Sequence, residues 1–420
     1  MFDFDSREFK RGRTMYIFEA ALEYFIAMLV SGSYLATITK ALGMSDSLTG
    51  IISSFISLGC LFQLFAVFMR KSRVKPTVIV LSVINQLLFA VLYIIPLADF
   101  GSTIKNIAFT VAIFSAYIIY NFAHPKKMNW FMSLVSDKKR GSFTADKEIF
   151  SLITGMIFSY AISFVFDYFK ENGQIRTAFI ISASVMFFIM VLHTVTMLLT
   201  VEPVEEKKPT KSLKKAIKTI VKNKPIMKVA VVLIIYNIAH YCSIPFFGTY
   251  LIGELGMSLN TVSILTIVGN VCRILISKFW GRYADKTSFA RMTEKCFLLL
   301  GLAFIFHAFA TPKTALITIT LYYVCNGIAF GGVNSALTNL VFDYSPHEIR
   351  ADALAICQAV AGLTGFLTTL VASLFVTLIQ NCGNQIFGIT IYAQQILSVA
   401  SLIIILLAIL YLKKNFLNKK

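Results

Sequence analysis

Apolar stretches of twenty or more residues recur along the whole chain, separated by short polar segments. Such runs are long enough to cross a bilayer, and in lipid each backbone amide must be paired within its own segment, so the runs are helices. Twelve spans are predicted, at 15–42, 47–69, 76–98, 104–135, 145–169, 176–200, 226–253, 259–280, 292–311, 314–343, 351–380 and 386–412. The pattern is that of an all-α polytopic membrane protein with twelve transmembrane helices. One stretch breaks it: NFAHPKKMNW, 121–130, sets a histidine, a proline and two lysines inside span 4.

The longest polar interval, VEPVEEKKPTKSLKKAIKTIVKNK at 201–224, joins spans 6 and 7. Leu213, Ala216, Ile217, Ile220 and Val221 recur there at helical spacing among lysines, which predicts a basic amphipathic helix on the membrane surface. The interval divides the chain into a six-helix bundle at 1–200 and another at 225–420. The halves repeat. GSYLATITKALGMS (32–45) answers GTYLIGELGMS (248–258), and Asn129 and Arg140 stand at the same separation as Asn339 and Arg350. Two parallel, pseudo-symmetric bundles predict a binding site near mid-membrane between them.

Charge sharpens this picture. The chain is 57% hydrophobic and 14% charged, with a formal net charge of +18. Of its 39 Lys and Arg, 31 fall at the N-terminus, in the even-to-odd loops and at the C-terminus; five fall in the opposite loops. By the positive-inside rule both termini are expected in the cytoplasm, in a cell membrane of bacterial type. The basic surplus is thus a topology signal, and no nucleic-acid partner is expected. MFDFDSREFKRGR is too polar to begin a cleaved leader. The seven cysteines show neither metal-ligand spacing nor a disulfide framework.

The motif GRYADK (281–286), between spans 8 and 9, resembles the loop signature G-x-x-x-D-R/K of the major facilitator superfamily, with Gly281, Asp285 and Lys286 matching. SPHEIRAD (345–352) and DKKRGS (137–142) resemble the superfamily's loops after helices 10 and 4, which brings in Arg350 and Arg140. The first-half loop FMRKSRVK keeps the basic residues and lacks the Gly and Asp. The resemblance implies the twelve-helix, two-bundle fold and rocker-switch alternating access, with helices 1, 4, 7 and 10 lining the path. It implies a conformational latch at Gly281, Asp285, Lys286, Arg350 and Arg140. These motifs mark the superfamily and no particular substrate. The Gly-Pro motif of drug–proton antiporters is absent from SLITGMIFSYAISF in span 5, and EAALE in span 1 is only reminiscent of the peptide-transporter pattern.

Charges within the spans carry the candidate chemistry. From Lys127 to Ser136 the helix climbs about 14 Å, against a hydrocarbon half-thickness of about 15 Å, so Lys127 lies too deep to snorkel. A charge at that depth marks function by default. Tyr117, Tyr120, Asn121, His124 and Lys127 share an arc of about 120°, while Lys126 points away and is expected to pair with a carboxylate inside the bundle. On span 1, Tyr16, Glu19, Glu23 and Tyr34 share a face. Acids one turn apart repel, which makes Glu23 or Glu19 a candidate proton carrier; a static salt bridge to a lysine is the competing reading. Tyr236 and His240 on span 7, and Asn270 and Arg273 on span 8, supply polar faces from the second half. Span 10 carries Gly327, Gly331 and Gly332, which suit bending or close helix packing.

The expected function is secondary active transport of a small polar, anionic organic solute, coupled to protons, with Lys127 and Arg273 as the anion's partners. No nucleotide-binding loop is present and no cofactor or metal is expected. Sodium coupling is left open. The chain is expected to act as a monomer whose partners are solute, proton and lipid bilayer. The competing readings are an exporter with an apolar cavity, a membrane sensor, and a membrane-embedded enzyme; the last would need a catalytic cluster that the sequence does not contain.

Overall fold

In a computed structural model the described residues are 6–68, 74–136, 139–202, 213–346, 349–386 and 388–418. They form twelve helical spans. Ten are single helices long and apolar enough to cross a bilayer, and the bent first span makes eleven. The twelfth, span 9 at Phe289–Ala308, carries Arg291, Glu294 and Lys295 in its first two turns, which lowers its apolar content. Exposed Phe187, Phe188, Leu275 and Leu374 give the helices the apolar outer surface that lipid requires.

Span 1 runs from Arg7 to Leu29, bends by 42°, and continues from Gly32 to Ala41. A Ser-Gly pair causes the bend. Ser31 Oγ donates to the Ala27 carbonyl at 2.7 Å, and Gly32 takes φ +53. Its helix begins eight residues before the predicted span because Ser6 caps it, accepting from the Phe9 amide. Span 12 begins later than expected, at Ala393. A short hairpin, Gln385–Ile386 against Ile389–Thr390, occupies the preceding stretch, where Gly383, Asn384 and Gly388 all take positive φ.

The repeated LGMS tetrapeptides have a shared physical use. Gly43 and Gly256 end their helices at φ +70 and +65, the left-handed conformation that glycine adopts without strain. Ser45 and Ser258 then open the next helix by accepting from the amides of Leu48 and Thr261. The tyrosines of the two repeats also match. Tyr34 donates to the Ser159 carbonyl at 3.0 Å, and Tyr250 to the Ala310 carbonyl at 2.6 Å.

Two compact units result. One comprises 1–44, 62–210 and 258–263; the other comprises 45–61, 211–257 and 264–420. In the first, Tyr16 stacks on Phe131 at 4.4 Å within a core that includes Phe9, Trp130 and Leu134. In the second, Phe246, Val376 and Leu397 pack together, and residues of 45–61 are tied in by Ser57 Oγ donating to the Gly362 carbonyl at 2.7 Å. Spans 8 and 10 touch backbone to backbone at Gly269 and Gly327, where a Cβ on Gly327 would clash with the Gly269 carbonyl. The linker contains the helix Leu213–Lys222.

Candidate functional site

The first unit buries an ion cluster. Span 4, Ser102–Met132, stays helical through Pro125 and carries Lys127 into the interior, where 4% of the residue is exposed. Its ammonium donates to Glu19 Oε1 at 2.8 Å and to Glu23 Oε1 at 2.6 Å. Both acids reach it because they stand one helical turn apart on span 1. Glu19 Oε1 also receives Nε2 of His193, which span 6 contributes, at 2.9 Å. Glu19 and His193 are fully enclosed, whereas the Glu23 side chain is 26% exposed. His193 Nδ1 has no hydrogen-bond partner among the described residues. Two carboxylates therefore share one ammonium by direct contact, which leaves one negative charge for a cation beyond the contacts, Lys147 of span 5, to answer. In hydrocarbon such a charge is costly unless a further cation answers it.

The surroundings are polar on one side. Lys147 of span 5 lies 3.3 Å from the Tyr16 hydroxyl and 5.0 Å from the ring centroid, and Tyr16 also contacts Met128 Sδ. Glu23, Tyr120, His124 and Lys127 line a recess with Ser82, Asn85 and Gln86 of span 3. The predicted arc on span 4 thus divides. Tyr120 and His124, with rings 5.3 Å apart, face the recess. Tyr117 packs edge-on against Phe89, and Asn121 accepts from Gln63 Nε2 at 2.8 Å; both are buried.

The carboxylate pairing expected of Lys126 falls to Lys127, which also keeps its place at the recess. Lys127 holds the carboxylates, while Lys126 is half-buried with no ion pair among the described residues. The reason is that both acids and His193 converge on the face that was assigned to the cavity. Lys127 is at once the cluster's cation and a wall of the recess. Nothing in the residue pattern of span 4 alone shows this, since it depends on where span 6 places His193. His193, Lys147 and Gln86 were not singled out from the sequence. His193 and Gln86 are polar residues in apolar runs, beside Thr194 and Asn85, and Lys147 lies between Asp146 and Glu148 at the start of span 5.

The second unit holds Tyr236, His240, Asn270 and Arg273. Tyr236 is buried and stacks on Phe297 at 5.4 Å; His240 is half-buried among Tyr236, Tyr241 and Phe330. Arg273 is half-buried, and Asn270 Nδ2 lacks a hydrogen-bond partner among the described residues. A further buried cluster escaped sequence reading. His307 Nδ1 contacts the hydroxyls of Ser398 and Ser243, which lie 3.0 Å from each other. Of the latch candidates, Gly281, Asp285 and Lys286 are exposed at the end of span 8, and Asp285 makes no ion pair among the described residues. Arg350 Nε donates to the Phe342 carbonyl at 3.1 Å, closing the end of span 10. The Arg140 side chain lies outside the described residues.

The family model described as Major Facilitator Superfamily matches residues 18–369 and 229–419. No curated protein matches the chain in sequence. Among solved structures, a variant of nucleoside transporter NupG is similar with TM-score 0.74 and 14% identity, over 96% of this chain and 99% of that one. A POT family peptide transporter gives 0.70 and 12%, over 97% of each chain. A D-xylose–proton symporter gives 0.65 and 13%, over 95% of this chain and 97% of that one. At these identities the likeness is one of fold.

Proposed function

The chain belongs to the major facilitator superfamily, and we propose that it carries a small polar, anionic organic solute across a bacterial-type plasma membrane together with a proton. One observation carries the reading: a single deep lysine is shared by two carboxylates, of which only Glu23 opens on a recess. Glu19, bonded to both Lys127 and His193, is the permanent counter-ion. Glu23 is the exchangeable proton site. While Glu23 is ionised, Lys127 has no charge to spare. When Glu23 holds a proton, Lys127 keeps Glu19 and regains a donor for a solute carboxylate or phosphate. Proton and anion therefore bind together, which is the logic of symport. The transporter works as a monomer by rocker-switch motion, with both termini and the 201–224 linker in the cytoplasm.

The test begins with melting curves of the purified protein against dicarboxylates, sugar phosphates, nucleosides, hexoses and dipeptides. The stabilising compound is then used in proteoliposomes. An inward proton gradient should drive its accumulation, and Glu23→Gln should abolish accumulation while retaining exchange of solute for solute. Accumulation by Glu23→Gln at the wild-type rate would sink the assignment. Stabilisation by apolar amphiphiles only would favour the exporter reading.

A further inference from the structure

The recess beside Glu23 has more oxygen atoms than the protein itself satisfies. Gln86 is 4% exposed, lines the recess, and its Oε1 is buried without a hydrogen-bond partner among the described residues. Asn85 spends its amide N–H on the Ala116 carbonyl at 2.8 Å, which leaves its Oδ1 without a partner. Ser82, one turn before Gln86, brings its hydroxyl to the same lining, and Glu23 bonds Lys127 through Oε1. Four oxygens of three chemical kinds thus line one recess: a carboxylate, two amide carbonyls and a hydroxyl. Of these the Gln86 oxygen is buried without a partner among the described residues, a costly state that a native site normally answers with a guest.

Charge and size narrow the guest. Glu23, the carboxylate that lines the recess, shares the Lys127 ammonium with Glu19, and a cation of charge one suits its spare oxygen. The enclosed part of the recess is about the size of one water molecule, which suits a small inorganic ion. A hard, small cation takes carboxylate, carbonyl and hydroxyl oxygens together. A proton on Glu23 satisfies one acceptor and leaves the others as they are.

We propose that this recess, formed by Glu23, Ser82, Asn85 and Gln86, is a binding site for one sodium ion, which takes the place of the proton on Glu23. The proposal rests on Glu23 being the exchangeable carboxylate. The other ionisable groups around it are Lys127, His124 and Tyr120 of span 4, Glu19 of its own helix, His193 of span 6, and, behind Tyr16, Lys147 of span 5.

The test uses full-length protein in detergent, without solute, melted in sodium chloride or choline chloride at equal ionic strength. Sodium should raise the melting temperature saturably and choline should not. Because the two ions compete, sodium should also move the midpoint of acid stabilisation downward, by about one pH unit per tenfold sodium once the site is saturated. Gln86→Leu and Glu23→Gln should each remove the sodium response. The wild-type sodium–choline difference stands even if a variant fails to fold. A sodium response that survives Gln86→Leu would overturn the site. Acid stabilisation with no difference between sodium and choline would overturn the sodium proposal and leave Glu23 as a proton site filled out by water. No response to either ion would remove both readings.

Discussion

Each unit buries a histidine against residues of other spans, yet the two clusters differ in what they hold. In the first, His193 joins a carboxylate that is itself bonded to a lysine. In the second, His307 joins two serine hydroxyls, within contact distance of the rings of Phe247, Tyr250 and Tyr322. Spans 1 and 6 of one repeat correspond to spans 7 and 12 of the other. On the Tyr34–Tyr250 register of the repeat Glu19 answers Ile235 and Ser243 answers Ala27, so the two clusters use different positions of spans 1 and 7, ionic in one copy and neutral in the other. A neutral cluster costs little to bury once its hydrogen bonds are made, and removing a member leaves no naked charge. An ionic one is held together by its members' mutual dependence, and its charge state can change with a conformational cycle. In the proposed function, coupling to an ion gradient therefore falls to the first unit.

The largest break is Lys127→Ala. It leaves Glu19 and Glu23 facing each other without their cation, so a loss of about 3–5 kcal/mol is expected. A melting temperature well below wild type would register it, and an unchanged one would mean that the cluster is not formed. His193→Ala removes one of the two donors to Glu19 and should cost about 1–3 kcal/mol. His193→Gln, which keeps an N–H in reach, should recover most of the stability. The pH profile of uptake should shift in the alanine variant and return in the glutamine one. Equal profiles in all three would make His193 a packing residue only.

Ser398→Ala tests the neutral cluster. It should cost about 0.5–1.5 kcal/mol and leave the pH profile of uptake where it was. A shifted profile would place coupling in both units. Asp285→Asn is the smallest expected change in stability, within about 0.5 kcal/mol, because the residue is exposed. Slower transport with normal solute binding would assign it the latch role; normal transport would leave the loop motif as ancestry.

The helices were legible because lipid imposes one solution on an apolar run. The repeat was legible because Gly43 and Gly256, with Ser45 and Ser258, end and restart helices by local rules. The pairing of Glu19 and Glu23 with span 4 could be anticipated from depth alone. Which lysine they choose could not, since Lys126 and Lys127 differ by 100° of rotation and span 6 decides between the faces. Gln86 and His307 were invisible for the same reason. One polar residue in an apolar helix tells nothing about what the neighbouring helix sets against it.

The central claim is that Glu23 is the carboxylate that takes up the proton. The most direct measurement is infrared pH-difference spectroscopy on purified protein without solute. Acidification should produce a carboxylic-acid C=O band in wild type that Glu23→Gln lacks and Ser398→Ala retains. The same band at full intensity in Glu23→Gln would contradict the account and place the proton elsewhere.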